Sequence, residues 1–108
     1  MFCAIYEFCL KDHVAEEEIS RIWRHMTTFM KDKAGAVGSR LHRDDTDDRR
    51  FVAYSQWPNR EQWATGRKLL LEDEDGLKLM QRLEEICQSR VICESSTVED
   101  LLTANLVK

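Results

Sequence analysis

Residues 2–10, FCAIYEFCL, are apolar at nearly every position, and they restrict the fold more than any other part of the chain. Aromatic and β-branched side chains favour an extended strand. Successive side chains of a strand point to opposite faces of its sheet, so Phe2 and Phe8 lie on one face and Ile5 on the other. Both faces of this strand are therefore apolar, and both need a cover that excludes water.

An amphipathic helix is predicted after the first strand. Apolar side chains recur at intervals of three and four over residues 14–30, which is typical of a helix with one buried stripe. Asp12 is a candidate N-cap, and Gly35 predicts that the helix ends near Ala34.

Two strands are predicted next, over residues 36–43 and 50–57, and the polar turn DDTDDR between them indicates an antiparallel hairpin. Pro58 ends the second of these strands. Asn59 can then cap a helix, with Gln62 reaching back to it as in a capping box.

The acidic stretch EDEDG, residues 72–76, is expected to break this helix, and another helix is predicted over residues 77–88. A fourth strand is predicted over residues 90–98. This order of elements indicates a ferredoxin-like βαββαβ fold of the α+β class, with a four-stranded antiparallel sheet and its helices on one face. No linker or repeat divides residues 1–108, so we expect a single domain.

Helices on one side of the sheet leave the other face of the first strand uncovered. A second copy of the chain is the simplest cover, with two open faces closing into a dimeric α+β barrel. The sequence therefore predicts a homodimer. The partly apolar tail, residues 99–108, is a candidate to reach across to the partner subunit.

The chain carries a net charge of −4, with acidic and basic side chains mixed along its length. It therefore has no basic field that would attract nucleic acid or an anionic membrane surface. Its apolar start has no preceding basic stretch and is too short to span a bilayer, which predicts a cytoplasmic protein.

The four cysteines, Cys3, Cys9, Cys87 and Cys93, lie in apolar segments without a C-x-x-C pair. We expect them to be reduced core residues whose surroundings raise the thiol pKa, which disfavours a nucleophilic cysteine. The sequence has no glycine-rich phosphate loop and no Cys/His spacing for zinc, so neither a nucleotide nor a metal is expected.

Four stretches give the chain a resemblance to a known family. They are EFCLK at 7–11, IWRHMT at 22–27, AGAVGSRLHR at 34–43 and FVAYSQWPNREQW at 51–63. Over about residues 2–98, the chain resembles the antibiotic biosynthesis monooxygenase superfamily, the dimeric α+β barrel proteins. The most distinctive part is the run from Trp57 to Trp63.

The resemblance implies a pocket between the sheet and the helices of each subunit. Some members of the superfamily oxidise polycyclic aromatic precursors of antibiotics with dioxygen, and use neither metal nor flavin. Others open the ring of haem, and a third group has no established reaction. The shared fold therefore indicates where a ligand would bind, but it leaves the chemistry open.

The resemblance places Trp63 against the substrate, where its indole would supply a broad apolar wall and one N–H donor. Trp57 could meet it near the mouth of the pocket, although both indoles could equally be packing residues. Tyr6 and Tyr54 are candidate donors to a quinone or phenol oxygen, and the alternative for each is a bond to a backbone carbonyl.

His42 shares one face of the second predicted strand with Arg40, while Leu41 points to the other face. If Leu41 packs on the helices, Arg40 and His42 face the dimer barrel. In the opposite register, His42 would line the pocket and could act as a general base on a phenolic proton.

Haem-degrading members carry a histidine ten residues after the tryptophan and an asparagine on the first strand. Asp73 and Phe8 occupy the matching positions here, and no histidine follows His42. The resemblance therefore argues against haem degradation, and no cofactor is expected.

Two hypotheses remain. The first is a cofactor-independent monooxygenase acting on a small or polycyclic aromatic of the phenol or quinol type, with Trp63 and His42 as catalytic residues. The alternative is a homodimer of the same fold that binds a small molecule, or has a structural role, without turnover. A cavity for a bicyclic ligand, with Trp63 and a tyrosine or histidine converging on it, would favour the enzyme, and a filled interior would favour the alternative.

Overall fold

Four antiparallel strands and three helices form residues 1–102, the part of the chain that the computed structural model describes. In chain order they are β1 (Phe2–Leu10), α1 (Glu16–Ala34), β2 (Gly38–Asp44), β3 (Asp47–Trp57), α2 (Arg60–Glu72), α3 (Glu74–Ile86) and β4 (Cys87–Ser96). The sheet has the strand order β2-β3-β1-β4, so β1 and β3 are central. The predicted ferredoxin-like α+β fold is confirmed. Within residues 1–102, no helix combines the length and the apolar character that crossing a bilayer requires.

The first helix begins later than predicted. Its N-cap is Ala15, not Asp12, and no side chain caps it. Three consecutive glutamates occupy its first turn, where negative charge is favourable next to the unpaired N–H groups. At the other end, Gly35 adopts the left-handed conformation, with φ 78°, and its N–H donates to the carbonyl of Met30. The predicted end at Ala34 is confirmed.

The hairpin between β2 and β3 is tighter than predicted, and β3 begins at Asp47 instead of Arg50. Asp44 shapes the turn, because its Oδ1 accepts from the backbone N–H of Thr46 at 2.8 Å and from the Thr46 hydroxyl at 2.7 Å. Such a side-chain turn lets the strands continue pairing almost to its tip.

Two polar side chains define the ends of the later helices. Asn59 caps α2, because its side-chain oxygen accepts from the backbone N–H of Gln62 at 2.9 Å. In addition, the side-chain Oε1 of Gln62 accepts from the side-chain Nδ2–H of Asn59 at 3.1 Å. The predicted pairing of these residues is thus confirmed, with Gln62 meeting the side chain of Asn59. Asp73 ends α2 and caps α3, where it accepts from Gly76 N–H at 2.9 Å. The acidic stretch breaks the helix as predicted.

The two faces of the sheet differ in their cover. Phe8 and Ala53 face the helices and are buried. Ile5 lies opposite Tyr54 of β3 and Cys93 of β4, on the face that the helices leave open. The two-sided apolar strand of the sequence is therefore present, with one side covered by the helices of its own subunit.

The prediction that all four cysteines are core residues is wrong for two of them. Cys87 is buried and Cys3 is partly buried, whereas Cys9 and Cys93 are exposed in the single subunit. Burial raises the pKa of the Cys3 thiol, and it raises that of Cys87 to about 11. These two thiols are therefore held protonated, as poor nucleophiles.

Gly66 allows α2 to pack closely against α1 and the sheet. A Cβ at this position would lie 2.6 Å from Cη2 of Trp57 and 3.0 Å from Cβ of Ala34. We expect Gly66→Ala to lower the free energy of unfolding by about 1–2 kcal/mol, because overpacking costs more than the ~1 kcal/mol gained in helix propensity. Urea denaturation would measure this. In the control Gly38→Ala, the added Cβ meets nothing within 4 Å and should leave stability nearly unchanged; equal stability of both variants would contradict the close packing at Gly66.

Candidate functional site

A cavity of about 160 Å³ lies between the sheet and the helices. Its apolar wall comes from β1, β3, β4 and all three helices, and includes Phe8, Trp57, Val91, Trp23, Met26, Met30, Leu70 and Leu83. An apolar cavity of roughly 150 Å³ is known to admit benzene. The cavity therefore has room for about one aromatic ring, which is less than the bicyclic ligand that would favour the enzyme hypothesis.

Tyr6 supplies a polar group in this apolar wall. Its Oη accepts a hydrogen bond of 2.7 Å from Nε1–H of Trp63. Edge-to-face packing against Trp23, with ring centroids 5.5 Å apart, fixes the position of the Tyr6 ring. Within residues 1–102 the Tyr6 hydroxyl has no acceptor for its own proton, so it can donate to a ligand oxygen.

Four further residues with hydroxyl groups line the cavity, namely Thr27, Ser39, Ser55 and Ser89. The Ser55 hydroxyl accepts from Nε1–H of Trp57 at 3.0 Å, and the hydroxyls of Thr27 and Ser39 lie 2.7 Å apart. These bonds are made within the wall, so they hold Trp57 and α1 in place. Ser55 resembles Tyr6 in that its hydroxyl accepts from an indole N–H, whereas the Thr27 and Ser39 hydroxyls bond to each other.

The two tryptophans of the distinctive run have different positions from those expected. Trp57 is on the cavity wall. Trp63 is buried behind that wall, where it packs against Phe2 with ring centroids 5.2 Å apart and against Ala4. Trp63 therefore does not form the cavity wall that was predicted for it, and of these two indoles the one that lines the cavity is that of Trp57.

His42 and Tyr54 lie on the open face of the sheet, with ring centroids 5.7 Å apart. The register pairs Leu41 with Ala53 on the helix side, and Arg40 with Tyr54 on the open side. Leu41 packs against the core. The structure thus adopts the first of the two alternatives for this strand, in which Arg40 and His42 point away from the cavity. Neither His42 nor Tyr54 lines the cavity.

Arg67 lines the cavity from α2 and is exposed to solvent. The guanidinium carbon is 5.0 Å from the centroid of the Trp63 ring. Sequence reasoning missed this residue. Its spacing of four from Trp63 was the available signal, since residues four apart share one face of a helix.

The cavity wall contains no histidine and no carboxylate among residues 1–102. Asp73, which stands where haem-degrading relatives carry their histidine, caps a helix instead. Space for one ring also does not suit the four pyrroles of haem. Within the same residues, no three His, Cys, Asp or Glu side chains come together as metal ligands.

Solved structures share this fold. SnoaB, a cofactor-independent oxygenase from Streptomyces nogalater, is 17% identical, with a TM-score of 0.75 over 94% of this chain and 97% of that one. An antibiotic biosynthesis monooxygenase is 16% identical, with a TM-score of 0.70 over 92% and 100% of the two chains. PA3566 from Pseudomonas aeruginosa is 18% identical, with a TM-score of 0.68 over 91% and 94%.

These similarities confirm, at the level of the fold, the resemblance to the antibiotic biosynthesis monooxygenase superfamily. No family model and no curated protein matches the sequence with significance. At identities of this size the likeness defines the architecture, and the chemistry has to be argued from the cavity itself.

Proposed function

We propose that this protein is a cofactor-independent monooxygenase that oxidises a single-ring phenol or quinol with dioxygen. The observation that carries the proposal is the apolar cavity with the Tyr6 hydroxyl held by Trp63 at 2.7 Å. The fold shared with SnoaB, described as a cofactor-independent oxygenase, supports it. The size of the cavity favours a small aromatic over a polycyclic one.

The reaction needs no external reductant. A phenol and one molecule of dioxygen give a para-quinone and one molecule of water, so the ring supplies all the electrons. One oxygen atom forms the new carbonyl and the other leaves in water. The reactive form of the ring is the phenolate, which is electron-rich enough to reduce dioxygen directly.

Tyr6 has the main role in this scheme. Its hydroxyl accepts from Trp63 and donates to the phenolate oxygen, so it stabilises the anion without reorienting during the reaction. Trp63 acts as a positioning residue. Trp57 and Trp23 form apolar walls that keep water away from reactive intermediates.

Isotope labelling tests the proposed reaction. With ¹⁸O₂ and a panel of single-ring phenols and quinols, one labelled atom should appear in the quinone and one in water, in a protein treated with a chelator. Binding of these rings without oxygen uptake would instead support the alternative of a non-catalytic binding protein.

Replacing Trp63 by phenylalanine should lower the rate of oxygen uptake by about two- to tenfold, because the Tyr6 hydroxyl loses the donor that orients it. An oxygen electrode measures the rate, and an unchanged melting temperature would separate positioning from loss of fold. A Trp63→Phe variant with the wild-type rate would remove this residue from the mechanism.

We also propose that the protein is a homodimer. The open face of the sheet presents Ile5, Val52 and Tyr54 from the two central strands, together with Cys93 from β4. The helices of the same subunit lie on the opposite side and cannot cover these side chains. A second copy would remove this apolar surface from water. The tail proposed to cross to the partner subunit is residues 99–108, and residues 103–108 of it lie outside the described part of the chain.

A further inference from the structure

We propose that the ligand is an anion, a single aromatic ring with a phenolate or carboxylate oxygen, and that Arg67 binds this oxygen at the opening of the cavity. The proposal rests on the proposed function for the identity of the cavity, and it adds the charge of the ligand. Arg67 becomes a specificity-determining residue.

The charge around the cavity is opposite to that of the whole chain. The protein has 20 acidic and 16 basic residues, with a net charge of −4. Nevertheless, the described residues that line the cavity include Arg67 and Arg90 but no carboxylate, and because Arg90 is paired with Glu7 on the neighbouring strand, the unpaired charge is that of Arg67. A cavity with such a border attracts an anion and repels a cation.

Among the described residues, three arginines line the cavity or lie over the Trp63 ring, and of these only Arg67 has no carboxylate partner. Arg60 donates to Glu94 at 2.8 Å, and Arg90 donates to Glu7 at 2.8 Å. The hydrogen bond from Arg90 lowers the pKa of Glu7 further than the one from Arg50 does, so this carboxyl stays ionised and neutralises Arg90. Within residues 1–102, no carboxylate forms an ion pair with Arg67.

The indole of Trp63 positions both of the groups that would contact the ligand oxygen. Its N–H holds the Tyr6 hydroxyl, and its ring face carries the guanidinium of Arg67 with 5.0 Å between Cζ and the ring centroid. Stacking on the ring restricts the guanidinium but leaves its in-plane N–H groups free for an anionic oxygen. Tyr6 and Arg67 both line the same cavity.

This arrangement explains how a phenol could lose its proton in a cavity that has no general base. No histidine or carboxylate lines the cavity within the described residues, so no side chain there can take the phenolic proton at neutral pH. A positive charge at the opening instead favours the ionised ligand, which releases its proton to solvent. Arg67 thereby selects the form of the ring that reacts with dioxygen.

The test uses 4-nitrophenol, because its phenol and phenolate forms absorb at different wavelengths and it is too electron-poor to be oxidised. In the wild-type protein we expect the pKa of bound 4-nitrophenol to fall by about 1 unit, a tenfold preference for the phenolate. In Arg67→Gln the shift should disappear. Arg67→Lys, which keeps the charge, should retain part of it.

Arg60→Gln is the matched control. The Arg60 guanidinium also lies over Trp63, at 5.6 Å, but it is bound to Glu94 and does not line the cavity, so its loss should leave the shift unchanged. Arg67 is exposed and glutamine is a good helix former, so both variants should keep the wild-type melting temperature.

A second arm compares benzoate with benzyl alcohol as competitors of 4-nitrophenolate. If benzoate competes and benzyl alcohol does not, the site also binds carboxylates. If the pKa of bound 4-nitrophenol shifts but benzoate does not compete, the site binds phenolates and not carboxylates. The proposal is overturned if the pKa of bound 4-nitrophenol is unshifted, or if Arg67→Gln retains the shift. Oxygen uptake is measured separately. Binding of the anion without oxygen uptake would therefore contradict the proposed function but would still support the role of Arg67 in anion binding.

Discussion

Oxygen uptake by the Tyr6→Phe variant is expected to fall about a hundred- to a thousandfold. Removing one preorganised donor from a developing oxyanion typically has an effect of this size. In the proposed mechanism Tyr6 is this donor, since its hydroxyl accepts from Trp63 and has its own proton to offer. Phenylalanine fills nearly the same space, so the cavity should keep its shape. The measurement is kcat/KM for the best phenol or quinol in an oxygen electrode.

The chain contains a matched control for this experiment. Tyr54→Phe removes the same hydroxyl from the other central strand, but on the open face of the sheet, where it cannot contact a ligand in the cavity. Its rate should equal that of the wild type. If Tyr54→Phe loses as much activity as Tyr6→Phe, or if Tyr6→Phe loses none, the site has been placed on the wrong face of the sheet.

A second large effect is expected for Ile5→Glu, which should convert the proposed homodimer into monomers. Ile5 lies between Tyr54 and Cys93 on the open face. An unpaired carboxylate buried there would cost several kcal/mol, equivalent to more than about a hundredfold increase in the dimer Kd. The subunit itself should stay folded, since this side chain is only partly buried in the single subunit. Sedimentation equilibrium at micromolar concentration measures the change.

The control for dimerisation is Leu77→Glu, the same type of substitution at an exposed position of α3, on the helical side of the molecule. It should leave the dimer intact. A wild-type protein that sediments as a folded monomer would contradict the homodimer, and an Ile5→Glu variant with an unchanged Kd would place the interface elsewhere.

The cavity also bears on the choice between an enzyme and a binding protein. A purely structural role for Tyr6 and Trp57 predicts a filled interior, but the structure has a cavity there. This cavity has room for about one ring and not two. The size of the cavity therefore limits the ligand to about one aromatic ring under either hypothesis. Labelling with ¹⁸O₂ then separates the two hypotheses, because only the enzyme transfers an oxygen atom from dioxygen to a ring carbon.

The order of strands and helices could be predicted from the sequence because it depends on local patterns. The apolar run of residues 2–10 and the helical spacing of residues 14–30 each indicate one element without reference to distant residues. The sequence predicted the first and last residues of these elements less accurately than their order. Asp12 has the chemistry of an N-cap, but α1 begins four residues later, where three glutamates occupy its first turn.

The composition of the site depended on tertiary structure. Trp57 and Trp63 are both buried aromatic residues near one end of the sheet, and only the packing of α2 on β1 places one on the cavity wall and the other behind it. Likewise, His42 could have faced either side, and the pairing of β2 with β3 decided it. A shift of one residue in a strand register exchanges its two faces, and local sequence patterns do not specify that pairing. The chain alone therefore determined which elements form, and the packing between them determined which side chains meet a ligand.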